Sequence, residues 1–231
     1  MRKILSLLLL MLACGTANAV APKVLVFGDS LSAGYGMEVD QSWPALLQTR
    51  LKNEGYEHQV INASISGETS EGGAQRIAAA IERYAPAVVV LELGGNDGLR
   101  GYPPRRLKGN LQAMIEQSRS AGAAVVLLGI RIPSNYGPRY TRSFENVYRE
   151  LAESYALPWV EFFMDGVALD ESLMQDDGIH PNAAAQGTLL DNAWPAILDA
   201  LQINTTAQRP QAGYVKNDNV TRSAPQTGGA Q

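Results

Sequence analysis

The sequence predicts an α/β fold, a central five-stranded parallel sheet covered by helices on both faces, and three observations carry that prediction. Short apolar runs rich in Val, Leu and Ile recur along the chain without the alternation of a sheet wetted on one face. Segments of helical spacing separate them, so strand and helix alternate. The connections that follow the strands are dense in Gly, Asn, Asp and Ser, the residues that turns use. Crossovers of this kind are right-handed and leave the strands parallel. A flavodoxin-like three-layer α/β/α sandwich is the expected architecture.

The first strand is Val24-Leu25-Val26-Phe27, which runs into Gly28, where a missing Cβ lets the backbone turn tightly. The second is His58-Gln59-Val60-Ile61-Asn62, the third spans 87–93, the fourth 124–130, and a short fifth 159–162. In the first helix Ser42 is a candidate cap and Pro44 falls in the first turn, with Leu46, Leu47 and Leu51 following before Gly55. A second helix over 72–84 stops at Pro86. The third, over 107–121, sets Leu107, Leu111, Met114 and Ile115 on one face and ends at Gly122. Helices over 139–156 and 183–201 complete the set.

A chain of 231 residues, 45% hydrophobic and 18% charged, has material for one good core. Its net charge of -4 offers neither a footprint for nucleic acid nor a basic membrane-binding surface. Met1-Arg2-Lys3, an apolar stretch over 4–14 broken by Ser6, and Ala17-Asn18-Ala19 form the pattern of a signal peptide over 1–19, cleaved after Ala19, for a periplasmic or secreted protein. The apolar stretch is too short to span a bilayer comfortably. Cys14, the only cysteine, lies inside this segment, so the mature chain has no thiol for a disulfide or a metal. The alternative is a lipoprotein acylated at Cys14, for which Met11-Leu12-Ala13 is a loose match. The folded domain is expected over 20–202. The tail over 203–231, rich in Asn, Thr, Gln, Pro and Gly, cannot offset its ordering entropy and is expected to be disordered.

The chemistry gathers in loops at the carboxyl ends of the strands, where open α/β sheets bind their ligands. Asp29-Ser30 follows the first strand and offers a serine hydroxyl, although these residue types also stabilise turns. Such a hydroxyl needs a base, and the chain has two histidines. His58 opens an edge strand and reads as solvated. His180 sits in Asp176-Asp177-Gly178-Ile179-His180-Pro181, before the last helix, with Asp177 placed to fold back on the imidazole; taken alone, the loop reads more simply as Asp177 capping that helix beside a surface histidine. The second strand leads into Asn62-Ala63-Ser64-Ile65-Ser66-Gly67-Glu68-Thr69, where Gly67 offers a backbone N–H. The third ends in Gly94-Gly95-Asn96-Asp97-Gly98, which offers the Asn96 amide. A rival reading makes Ser66 to Thr69 with Gly72-Gly73 a phosphate cradle in a flavodoxin-like ligand-binding module. Glu68 and Glu71 place negative charge there, and no dinucleotide or phosphate-loop fingerprint is present.

Together Gly28-Asp29-Ser30-Leu31-Ser32, the Gly67 loop, Gly94-Gly95-Asn96-Asp97 and Asp177-Gly178-Ile179-His180-Pro181 resemble the four blocks of the SGNH, or GDSL, hydrolase family, in order and over essentially the whole domain. The resemblance implies that Ser30 is the nucleophile, that His180 is the general base and later the acid, and that Asp177 orients it. It also implies an oxyanion hole made by the N–H groups of Ser30 and Gly67 and the Asn96 amide. No cofactor and no metal is called for. The implied activity is hydrolysis of esters and acyl thioesters through an acyl-enzyme, by a monomer acting on a small or lipid-like acyl substrate. Carbohydrate O-deacetylation is the enzyme alternative, since the same residues attack any activated acyl group. Leu99, Tyr102, Ile132, Pro133 and Tyr136, in the loops after the third and fourth strands, are candidates for an acyl-chain groove.

Overall fold

In the computed structural model, which describes residues 21–208, five strands lie side by side and all run parallel. They are β1 (Lys23–Gly28), β2 (Gln59–Asn62), β3 (Val88–Glu92), β4 (Ala124–Leu128) and β5 (Trp159–Val160), in the order β2-β1-β3-β4-β5. This is the flavodoxin-like order. The chain leaves β1 toward one edge to form β2, then crosses back to form β3 on the other side of β1. The loops after β1 and β3 therefore part from each other, which opens a crevice at the carboxyl end. Register sets the strand ends there: β1 and β3 end side by side with Gly28 opposite Glu92, while β2 ends earlier, with Asn62 opposite Val26.

The helices are α1 (Ser30–Ala33), α2 (Trp43–Asn53), α3 (Ser70–Tyr84), α4 (Gly95–Leu99), α5 (Pro104–Ser120), α6 (Pro138–Tyr155) and α7 (Gln186–Gln208). α3, α5 and α6 pack on one another along one face of the sheet, and α2 packs with α7 on the other. Val24 to Phe27, Val88 to Leu91 and Leu127 and Leu128 are fully buried between these layers, which is why the strand runs read as continuously apolar. Gly73 brings α3 close to the sheet: a Cβ there would stand 2.5 Å from Leu93 Cδ1.

Several local readings are corrected. Ser42 precedes α2 but does not cap it; its hydroxyl donates to the Val39 carbonyl at 2.6 Å. α3 starts at Ser70 with Thr69 as its cap, ahead of Gly72. β5 is shorter than the 159–162 run. α7 continues to Gln208, past the boundary at 202. At the β2 edge the Gln48 side chain donates to the His58 carbonyl at 3.1 Å and accepts from the Val60 N–H at 2.7 Å. The leader over 1–19 and the tail beyond 208 lie outside the described residues. Among the described residues no helix is long and apolar enough to cross a membrane.

Candidate active site

Ser30 is the first residue of α1, separated from the end of β1 by Asp29 alone. Asp29 caps that short helix, its Oδ1 accepting from the Leu31 N–H at 3.1 Å. Gly28 does not adopt a positive φ. Its need for glycine is steric instead: a Cβ would lie 2.6 Å from Glu92 Oε2 and 2.8 Å from Ser32 Oγ.

The His180 loop folds back on itself. Met174 and Pro181 form an isolated antiparallel bridge, the Gln175 N–H donates to the His180 carbonyl at 2.8 Å, and Gly178 turns the chain at a φ of 65°. This returns Asp177 to its neighbour three residues on. His180 Nδ1 donates to Asp177 Oδ2 at 2.6 Å, while Oδ1 accepts from the Ile179 and His180 N–H groups at 2.9 and 3.0 Å. The imidazole bond first, and then the two backbone donors, pull the Asp177 carboxyl down to about 2. With Nδ1 carrying the hydrogen, Nε2 is the accepting nitrogen, and Ser30 Oγ lies 2.9 Å from it. The Tyr35 ring lies against the imidazole, with centroids 4.3 Å apart. Gln175 Nε2 donates to the Tyr35 carbonyl at 2.8 Å and to that of Pro181 at 3.0 Å, which ties this loop to the segment after α1.

On the opposite side, the Gly67 loop is fastened to the serine turn. The Gly28 N–H donates to Ser64 Oγ at 3.0 Å, the Ile65 N–H to the Gly28 carbonyl at 3.0 Å, and the Asn62 amide to the Ser32 carbonyl at 2.7 Å. Gly67 has a φ of 80° and open space where a Cβ would point, so its requirement is conformational. Arg100 donates to its carbonyl at 3.3 Å. Asn96 lies in the first turn of α4, where its Nδ2 donates to Asp29 Oδ2 at 3.1 Å. Burial pushes the Asp29 carboxyl up to about 6, against the pull of Leu31, Asn96 and His180. Asp97 faces away, accepting from the Ser70 N–H and hydroxyl at 2.8 and 2.6 Å.

The structure thus brings Ser30, His180 and Asp177 into one hydrogen-bonded line and links Asn96 to it through Asp29. His58 stands at the far, amino-terminal end of β2, half-buried beside Tyr56 rather than solvated, and burial lowers its pKa. The phosphate-cradle reading fails on geometry. Thr69 Oγ1 takes the Gly72 N–H, Asp97 takes that of Ser70, Glu68 pairs with Arg76 at 2.6 Å, and Gly73 is packed against Leu93. Sequence reasoning missed Asp29 as the partner of Asn96, Tyr35 against His180, and Gln175 as the tie between loops. Glu92 did carry a signal, as a lone carboxyl in an apolar strand.

The model of the GDSL-like lipase/acylhydrolase family matches residues 26–187. The chain belongs to this family. It is 51% identical over 182 residues to the esterase TesA of Pseudomonas aeruginosa, covering 79% of this chain and 90% of that one. It is 44% identical over 173 residues to the thioesterase 1/protease 1/lysophospholipase L1 of Escherichia coli K12, covering 75% and 82%. A crystal structure of the psychrotrophic esterase EstA from Pseudoalteromonas, inhibited by monoethylphosphonate, superposes with a TM-score of 0.74 at 41% identity, covering 78% of this chain and 98% of the other. This GDSL-like chain is accordingly an enzyme, a carboxylic ester hydrolase.

Within the GDSL-like fold the five groove candidates separate. Leu99 and Tyr136 are both 37% exposed and joined by a hydrogen bond of 2.7 Å from the Tyr136 hydroxyl to the Leu99 carbonyl. Tyr102 is half-buried and held by the Tyr140 hydroxyl, and Pro133 is exposed. Ile132 is a core residue: it packs behind α4, where Gly98 leaves room for its Cγ2. It backs the surface rather than lining it.

Proposed function

We propose that this enzyme cleaves carboxylic esters and acyl thioesters through an acyl-enzyme on Ser30. The observation that carries the reading is the line from Ser30 Oγ to His180 Nε2, and from His180 Nδ1 to Asp177, at 2.9 and 2.6 Å. Ser30 Oγ attacks the acyl carbonyl as its proton passes to Nε2. The Asp177 carboxylate stabilises the imidazolium that results. The N–H groups of Ser30 and Gly67 and the free hydrogen of the Asn96 amide receive the oxyanion. Collapse of the tetrahedral intermediate breaks the bond to the alcohol or thiol, which leaves with the Nε2 proton. Water then attacks the acyl-serine with His180 again as base, releasing the acid and restoring Ser30. A phosphonate resembles the tetrahedral intermediate, so inhibition of the Pseudoalteromonas esterase by monoethylphosphonate supports this chemistry.

The exposed pair of Leu99 and Tyr136, with Tyr102 and Pro133 beside them, favours an acyl chain over a sugar at this edge. Each buried methylene contributes up to about 0.8 kcal/mol, so four more of them raise kcat/KM by roughly two orders of magnitude if fully used in the transition state. The leader over 1–19 directs the enzyme out of the cytoplasm, to substrates in the periplasm or beyond. A fluorophosphonate probe and a series of p-nitrophenyl esters and acyl thioesters test the proposal. Labelling at Ser30, with rates that rise from acetyl to medium chains, is expected. Rates that peak at acetyl and fall with each carbon favour the carbohydrate O-deacetylase reading instead, and turnover with Ser30 unlabelled overturns the assignment of the nucleophile.

A further inference from the structure

Glu92 ends β3 in fully apolar company, after Val88, Val89, Val90 and Leu91 and before Leu93, all of them buried. A carboxylate in such a place costs several kcal/mol unless a cation meets it, and among the described residues no ion pair includes it. Its surroundings are nonetheless built to it. Ser32 Oγ donates to Oε2 at 2.7 Å, and the Asp29 N–H reaches the same oxygen at 3.4 Å. Trp43 Nε1 donates to Ser32 Oγ at 3.2 Å. An indole N–H only donates, so the Ser32 oxygen accepts from Trp43 and spends its own hydrogen on Glu92. Oε2 therefore takes two donors, while Oε1 is buried without a protein partner. A proton on this carboxyl sits on Oε1. Gly28 completes the fit by leaving out the Cβ that would crowd Oε2.

We propose that Glu92 is a positioning residue that acts as a neutral carboxylic acid, gripping Asp29 and Ser32 on either side of the nucleophile and leaving the negative charge of the carboxyl pair to Asp29. The role rests on Ser30 being the nucleophile. Partners decide where the charge goes. Asp29 has the Leu31 N–H, the Asn96 amide and the nearby His180, whereas Glu92 has one hydroxyl and one long amide bond. Burial first, and then the Asp29 charge, push Glu92 well above the ordinary carboxyl range. Two other titratable groups face the pair. Tyr148 donates to the Leu93 carbonyl at 2.9 Å and is kept neutral by burial. Asp97 is committed to Ser70. Environments that separate two neighbouring carboxyls in this way assign them different tasks.

The test pairs Glu92→Leu, which keeps bulk and removes the acceptor, with Glu92→Gln, which keeps a neutral acceptor. Glu92→Leu is expected to lose about tenfold or more in kcat with KM within about twofold, and Glu92→Gln to restore kcat to within about threefold. The acid limb of kcat/KM in Glu92→Gln is expected to stay where it is in the wild type. Infrared difference spectra of wild type against Glu92→Gln near neutral pH should show the loss of a protonated-carboxyl C=O band. Loss of a carboxylate band instead overturns the proposal. So does an acid limb that moves down by about one pH unit, because removing an anion lowers the pKa of the neighbouring Asp29. A Glu92→Gln enzyme that fails to fold also overturns it, and so does a Glu92→Leu enzyme with unchanged kcat. Ser30→Ala separates this from the nucleophile assignment: turnover that survives it sinks that assignment, while the infrared band still reads the protonation of Glu92.

Discussion

Asn96 gives one amide hydrogen to Asp29 Oδ2, 3.1 Å away, which fixes the direction of its second amide hydrogen. The residue just before Ser30 therefore aims the side chain proposed to receive the oxyanion. Asn96→Ala is expected to lower kcat by roughly 10²–10³-fold with little change in KM, because such a donor acts mainly in the transition state. Steady-state kinetics on one ester decide it. A raised KM at constant kcat makes Asn96 a ground-state binder.

Asp29 and His180 should both have to be free of protons for fast acylation, the first to orient Asn96 and the second to act as base. With Asp29 pushed up to about 6 by burial, the acid limb of log kcat/KM should steepen beyond one proton. Asp29→Asn still caps α1 but no longer titrates, so its slope should return to one. Profiles of equal slope would separate Asp29 from the pH dependence.

Stability should respond in opposite senses to the two aspartates. Asp177 is held at about 2, below its unfolded value, so the contribution of its network is complete above about pH 4 and is lost as pH falls toward 2. Its side chain is 38% exposed, which keeps that contribution small. Asp29 lies above its unfolded value, so its contribution is largest below about pH 4 and declines as pH rises through about 6. Melting temperatures of Asp177→Asn and Asp29→Asn against pH should flatten in those separate windows. A wild-type dependence that survives in either variant assigns it elsewhere.

Two glycines should fail for different reasons. Gly67→Ala meets no atom but must hold a φ of 80°, at a cost of about 1–2 kcal/mol. Gly28→Ala meets the Glu92 carboxyl and Ser32 hydroxyl at under 3 Å, and overpacking of that kind costs about 1–3 kcal/mol while displacing Ser30. Denaturant melts with parallel kinetics check both. A Gly28→Ala enzyme with wild-type kcat would remove the crowding account.

The sheet was legible because its central strands β1, β3 and β4 are buried on both faces, and five strand-like runs separated by helical spacing admit few topologies. The elements that present the site were not. α1 and α4 are each too short to carry a period, so Ser30 and Asn96 read as loop residues although each lies in the first turn of a helix. Ser42 has the right type and place for a cap, but whether its hydroxyl faces forward or back depends on the turn before it. Ile132 has the composition of a groove wall, and only the position of Gly98 shows that it points inward. The serine, the Asp177–His180 pair and the asparagine were visible as residue types at strand ends. The connections among them cross wide sequence separations, as with Asn96 to Asp29 and Gln175 to Tyr35, and no local pattern encodes them.

The Gln48 side chain occupies the β2 margin as a surrogate rung, taking up one carbonyl and one N–H that a neighbouring strand would otherwise use. A foreign strand that docks there must first displace an amide already bonded at both ends. At the opposite margin β5 offers only Trp159 and Val160. The sheet therefore ends in a plugged seam on one side and a stub on the other, and both resist the edge-to-edge polymerisation that exposed margins invite.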